Sequence, residues 1–168
     1  MTAIQQIHFS EIRMHGVVAK RRTAHFGVTY DFQTFQLSAA AEIPSFLSPI
    51  RDRAARLGGV AATEFREALV TEYSAGSGIG WHRDAPQFGV IVGISLLSSC
   101  TMQFRPWPVA DPSTTTKRRV RSVSRQLAPR SAYLIAGVAR EKWQHRIPAT
   151  NSLRYSITFR TLSVRNTR

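Results

Sequence analysis

"LRYSITFRTL", residues 153–162, is the stretch on which the fold turns. Side chains alternate across an extended strand. Arg154, Ser156, Thr158 and Arg160 therefore share one face, and Tyr155, Ile157 and Phe159 share the other. The apolar face has to be covered, so this strand does not lie loose on a surface. In a barrel-like fold the other face sends two guanidiniums and two hydroxyls toward an interior or a mouth. Buried Arg is costly unless an anion meets it there. In the reverse arrangement Tyr155, Ile157 and Phe159 fill the interior and the arginines face water. Taken alone, the strand fits the reverse arrangement slightly better.

Working outward, similar segments precede it: "ALVTEYS" (68–74), "FGVIVGISLL" (88–97), "TMQFR" (101–105), "RVRSVSRQL" (119–127), "SAYLIAG" (131–137) and "KWQHRIP" (142–148). Each is short, rich in β-branched and aromatic residues, and bounded by turn residues. Many strands without intervening helices predict a sandwich, barrel or jelly roll. Residues 106–119, "PWPVADPSTTTKRR", read as a polar loop whose Lys117, Arg118 and Arg119 run into Arg121 and Arg125 of the next strand. One helix is well marked: Ser48 is placed to cap it, Pro49 suits its first turn, and Gly58-Gly59 end it. Residues 20–37, "KRRTAHFGVTYDFQTFQL", predict one or two extended segments turning near Gly27.

A chain of 168 residues suits one domain spanning 1–168 with a sizeable core. No apolar run approaches the length of a membrane span. The beginning, "MTAIQQIHFSEIRMHG", has no basic-then-apolar pattern, so an intracellular protein is expected, cytoplasmic in a bacterium. Cys100 is the only cysteine, which excludes an internal disulfide and a cysteine-based metal site. Lys and Arg number 23 against 10 acidic residues, a formal charge of +13. That excess favours polyanion partners, nucleic acid above all, although a basic surface kept for solubility has the same composition.

The chemistry starts at "GIGWHRDAPQFG", residues 78–89. His82 and Asp84 stand at i and i+2, so an extended backbone aims both the same way, with Trp81 and Arg83 pointing elsewhere. A structural ion pair is a fair competitor to a metal site here. His145 in "KWQHRIP" offers a third ligand, and two His with one carboxylate form the facial triad of non-haem Fe(II) oxygenases. The glycines of "AGSGIG" do not make a phosphate loop, because no helix follows them; they read as the turn into the metal-bearing strand. His8 and His15 are expected to be structural or surface residues.

Together these pieces resemble the AlkB-like Fe(II)- and 2-oxoglutarate-dependent dioxygenases. "EYSAGSGIGWHRD", "FGVIVGISLLSSCTMQFR", "RSAYLIAGVAREKWQHRIP" and "LRYSITFRTL" stand in the family's order, and the last resembles its Arg-x-Asn-x-Thr-x-Arg signature. The resemblance reverses the reading of the final strand. It implies a mainly β fold with flanking helices (α+β), a double-stranded β-helix or jelly roll. It implies Fe(II) on His82, Asp84 and His145, with 2-oxoglutarate and O2 as cosubstrates. Arg154 would hold the far carboxylate of 2-oxoglutarate with help from Tyr73, and Arg160 would steady the metal end. Thr71 and Ser156 stand where the family often has Asn, and are expected to keep its hydrogen bonds to the cosubstrate. Family members usually carry a longer lead-in before the segment matching "RMHGVVAKRR", so an incomplete N-terminal lead-in is expected.

By the same resemblance, residues 20–37 form a substrate lid. Arg22, His25, Phe26, Tyr30 and Phe32 mix cations and π-faces, as a pocket for an unstacked base does. The expected reaction is oxidative demethylation of N-alkylated nucleic acid bases, in DNA repair or RNA modification, by a monomer. Two alternatives stand beside it: the same chemistry on a protein or a modified tRNA, and an inactive basic jelly-roll module that only binds nucleic acid.

Overall fold

The computed structural model describes residues 1–14, 17–31, 34–107 and 122–163. Phe32, His15 and most of the expected loop, including Lys117, Arg118, Arg119 and Arg121, lie outside the described residues.

A short helix α1 (Thr2–Gln5) leads into β1 (Ser10–Met14) and the long β2 (Val17–Asp31). β3 (Gln36–Ala39), α2 (Ser48–Gly58) and β4 (Phe65–Tyr73) follow. Next come β5 (Ile79–His82), β6 (Phe88–Leu96), β7 (Cys100–Pro106), β8 (Val123–Leu127) and β9 (Ala132–Ile135). The one-and-a-half-turn α3 (Gly137–Lys142), β10 (Trp143–Ile147) and β11 (Arg154–Leu162) complete the described elements. The strands form two antiparallel sheets. The larger runs β1-β2-β4-β11-β6-β9, with β3 attached to β2; the smaller runs β5-β10-β7-β8. This is the jelly roll, mainly β with helices outside.

The final strand explains the layering. β11 lies between β4 and β6, so both its faces are covered. Tyr155, Ile157 and Phe159 join Phe65, Val70 and Val92 under Leu47, Ala54 and Ala55. The apolar face therefore packs outward against α2, and Arg154, Ser156, Thr158 and Arg160 face the smaller sheet. A second cluster fills the space between sheets: Tyr73, Ile91 and Ile135 from one side, Met102, Leu127 and Ile147 from the other.

α2 runs where Pro49 and the glycines predict, and Gly59 ends it at a left-handed φ of 65°. Its start differs from expectation. Ser48 is the first helical residue, not a cap: a 3-10 turn, Ser45–Leu47, feeds directly into the helix, and no side chain caps it. The lead-in does reach the core, since Ile4 and Phe9 pack beneath Ala24 and Tyr155.

Candidate metal centre

Register builds the site in rows across the larger sheet. Thr23, Thr71, Ser156 and Ser95 stand side by side on β2, β4, β11 and β6. One row away, His25, Leu69, Thr158, Gly93 and Tyr133 align. In the next row Glu67 pairs with Arg160. A Cβ on Gly93 would overlap the Tyr133 ring, so the glycine is what lets that ring lie across the sheet. On the smaller sheet, His82 of β5 and His145 of β10 are register partners, which brings their rings to 4.2 Å between centroids. The β5 turn depends on Gly78, where an added Cβ would stand 2.5 Å from the Ile147 carbonyl oxygen.

Asp84 follows β5 and completes the group: ligand atoms of His82, Asp84 and His145 all lie within 4.8 Å of one another. His145 Nε2 is 3.5 Å from Asp84 Oδ2. His82 Nδ1 lies 2.9 Å from the Gly80 carbonyl oxygen. A carbonyl only accepts, so Nδ1 carries the proton and Nε2 keeps its lone pair for a metal. Burial pushes both imidazoles toward the neutral form; His145, next to His82, falls to about 4. Burial opposes the Asp84 charge, yet the Arg160 guanidinium and the two imidazoles outweigh it and hold the carboxyl below the usual range. Neutral imidazoles beside an ionised carboxylate are the protonation states a divalent cation needs.

Arg160 fixes the carboxylate. One terminal nitrogen donates to Asp84 Oδ1 at 2.6 Å and the other to Glu67 Oε2 at 2.6 Å. Glu67 is 1% exposed, and its second oxygen meets His25 Nδ1 at 3.0 Å. Asp84 Oδ2 is thus left facing the histidines. Arg140 braces the turn after Asp84 by donating to the carbonyls of Ala85 and Phe88, at 2.5 and 2.8 Å.

Arg154 is fully buried, and its Nε donates to Ser95 Oγ at 3.1 Å. Both terminal nitrogens are buried without a partner. A buried guanidinium in this state is strongly disfavoured unless an anion joins it. Its carbon stands 5.1 Å from the centre of the Tyr73 ring. A cavity of about 780 Å³ runs from Tyr73, Tyr133 and Ser156 past the triad to Tyr30. Arg154 is not itself among the lining residues, but its guanidinium lies against the ring of Tyr73, which is. The arrangement therefore offers a cation site with an anchoring fork beyond it, which suits a metal and a bidentate anionic cosubstrate.

The expected substrate residues divide by strand phase. His25 and Tyr30 line the cavity. Arg22 and Phe26 do not: they alternate to the opposite face of β2, where Arg22 donates to Glu72 at 2.7 Å and Phe26 packs on the outer core. Arg21 and Thr23 line the cavity instead. Glu67, Tyr133 and Arg140 were missed. Strand alternation from Thr71 and Tyr73 puts Glu67 on their face, so that signal was available for it.

Among known proteins, the family model for the 2OG-Fe(II) oxygenase superfamily matches residues 3–160. An Arabidopsis thaliana protein described as "Alkylated DNA repair protein ALKBH8 homolog" is 31% identical over 147 residues, 78% of this chain and 42% of that protein. The chain thus spans less than half the length of that relative. The solved structure titled "The structure of OsALKBH1" shares the fold, with a TM-score of 0.55 at 16% identity over 84% of this chain and 78% of that one. The chain belongs to the 2OG-Fe(II) oxygenase superfamily, a family of dioxygenases that use Fe(II), 2-oxoglutarate and O2, and it is similar to AlkB-type proteins.

Proposed function

We propose that this protein oxidatively demethylates N-alkylated bases of nucleic acid. In this reading His82, Asp84 and His145 hold Fe(II), and Arg154 takes the far carboxylate of 2-oxoglutarate through its two unpartnered nitrogens. When bound, Fe(II) and 2-oxoglutarate would let O2 oxidise 2-oxoglutarate to succinate and CO2 and hydroxylate an N-methyl carbon, which then leaves as formaldehyde.

The chain's own residues prepare that step. Arg160 occupies one Asp84 oxygen and leaves the other for the metal. Gly80 holds His82 in the tautomer that presents Nε2. Thr71 and Ser156, neighbours across β4 and β11, present hydroxyls beside Tyr73 to orient the cosubstrate. Ile91, Met102, Ile135 and Ile147 keep the inner end of the cavity dry. His25 donates Nδ1–H to Glu67, which holds its ring in the cavity lining, and Tyr30 lines the same cavity.

The observation that carries the substrate class is the position of these residues. The cavity that holds the triad is also lined by His25, Tyr30, Arg21, Trp81 and Arg83, on a chain of net charge +13. A flat base can enter, and its phosphates meet these cations. The relative's description as an alkylated DNA repair protein points the same way. The test is formaldehyde release from N-methylated single- and double-stranded DNA and RNA, supplied with Fe(II), 2-oxoglutarate and O2. Formaldehyde in step with succinate is expected. Succinate without formaldehyde on every nucleic acid sinks the substrate claim and directs the search to methylated protein.

A further inference from the structure

The smaller sheet has a second face. On β5, β7 and β10, alternation turns His82, Phe104 and His145 toward the site, and Trp81, Arg105 and Arg146 away from it. The two guanidiniums stack on Trp81, with carbons 4.4 and 4.7 Å from the ring centroid. Each has its Nε tied to a glutamine on the neighbouring strand: Arg105 to Gln144 Oε1 at 2.9 Å, Arg146 to Gln103 Oε1 at 2.6 Å. Among the described residues no carboxylate pairs with either arginine. Their terminal nitrogens are neither buried nor hydrogen-bonded within the described protein.

Two like charges are thus stacked on one indole, and among the described residues their terminal nitrogens have no partner. The tied Nε atoms and the shared ring restrict both side chains, so little rotamer freedom remains to be lost when an anion binds. Arg105 and Arg146 are diagonal neighbours across β7 and β10, their backbone positions roughly 7–8 Å apart at that register, so two separate forks stand on one patch. The face is continuous with the cavity, because Trp81 and Arg83 also line it and Arg83 stacks on the exposed Trp107 at 5.5 Å.

We propose that this outer face is a track for single-stranded nucleic acid, in which Arg105 and Arg146 each hold one phosphate of the strand whose target base enters the cavity. The proposal rests on the nucleic acid reading of the site and adds the path of the backbone to it. An acidic peptide is a weaker fit, since the forks match phosphate oxygens spaced along one strand and Trp81 and Trp107 suit stacked bases.

The experiment measures binding of a fluorescent single-stranded oligonucleotide by the full chain at several salt concentrations, wild type against Arg105→Gln/Arg146→Gln. Each lost phosphate contact should flatten the slope of log affinity against log salt by about 0.7. The double variant should therefore lose about 1.4 of slope, and roughly tenfold or more in affinity at low salt. Substrate-free turnover of 2-oxoglutarate should be unchanged, which shows that the variant is folded. Arg105→Lys/Arg146→Lys should keep the slope, and Arg105→Gln alone, a gentler change, should lose about 0.7 of it. Unchanged slope and affinity in the folded Gln variants overturn the track, as does a loss confined to an acidic peptide probe. The two readings fail separately. A wild type that binds through these arginines but never releases formaldehyde refutes the demethylase reading alone. A wild type that demethylates oligonucleotides while the double variant's KM is unmoved refutes the track alone.

Discussion

At the scale of single residues, stability and function pull in opposite directions at Arg154. Its terminal nitrogens are buried without a partner, so the free protein carries an uncompensated charge. Arg154→Met should leave the melting temperature of the ligand-free protein unchanged or raise it by a few degrees. The same change should raise the KM for 2-oxoglutarate by roughly 100-fold or more, because a buried charge-assisted contact is lost. Thermal melts and substrate-free turnover measure the pair of effects; a large drop in melting temperature with normal KM contradicts this role. Glu67 behaves in the reverse way. It is paired with both Arg160 and His25, so Glu67→Ala should destabilise by about 3 kcal/mol. It should also weaken Fe(II) binding about tenfold or more, by releasing Arg160 from its fixed place on Asp84. Glu67→Gln should recover part of both losses.

The residue scale also shows what the sequence made legible. His82 and Asp84 were readable as a pair from their i, i+2 spacing, although only His82 lies on β5 and Asp84 comes from the segment after it. Arg154 and Arg160 were readable once the family resemblance turned their face inward. Phase was the harder problem on β2. A basic-aromatic segment announces itself by composition, but nothing in "KRRTAHFGVTYDF" says which alternate residues face the cavity. Arg22 and Phe26 fell on the wrong side, and Arg21 and Thr23 on the right one. His25 and Tyr30 face the same cavity from odd and even positions, because Gly27, at a φ of 81°, shifts the alternation between them.

At the scale of elements, the position of the metal ligands depends on how β5 meets β10. The register changes between His145 and Ile147, and Gly78 passes close to the backbone there. Gly78→Ala should force the Ile147–Pro148 backbone aside and cost about 2 kcal/mol or more. Fe(II) affinity should fall with it, while the distant α2 core is untouched; equilibrium unfolding and metal titration on one preparation measure both. Near-normal stability would mean that the turn accommodates a side chain. The strands from β4 onward and the end of α2 at Gly59 were legible from turn residues and β-branched runs; β1 and the start of α2 were not. The pairing order was not, because hydrogen-bonding partners such as β4 with β11, far apart in the chain, leave no local signal.

At the scale of the whole molecule, the buried histidines set the acid limit. His145 titrates at about 4 in the folded chain, below its ordinary value of 6.5, and His82 is also lowered. Protons therefore bind the unfolded state first. The neutral form's contribution to stability is fully present above pH 6.5 and is lost as pH falls from there toward 4. Asp84, lowered from 3.8, adds a further loss below that. The metal-free protein should lose roughly 5 °C or more in melting temperature between pH 7 and pH 4.5, and His145→Gln should flatten that slope. Fe(II) should protect across the same window, since it binds the neutral imidazoles.

The central claim is that the triad and Arg154 form one Fe(II) and 2-oxoglutarate site. It is tested most directly by anaerobic titration of 2-oxoglutarate into the Fe(II)-loaded protein, following the visible charge-transfer absorbance of the chelate. The account predicts a saturable band at one 2-oxoglutarate per chain, absent in His145→Ala and requiring far more 2-oxoglutarate in Arg154→Gln. A wild type that binds Fe(II) without developing the band, or a His145→Ala variant that keeps it, would contradict the account.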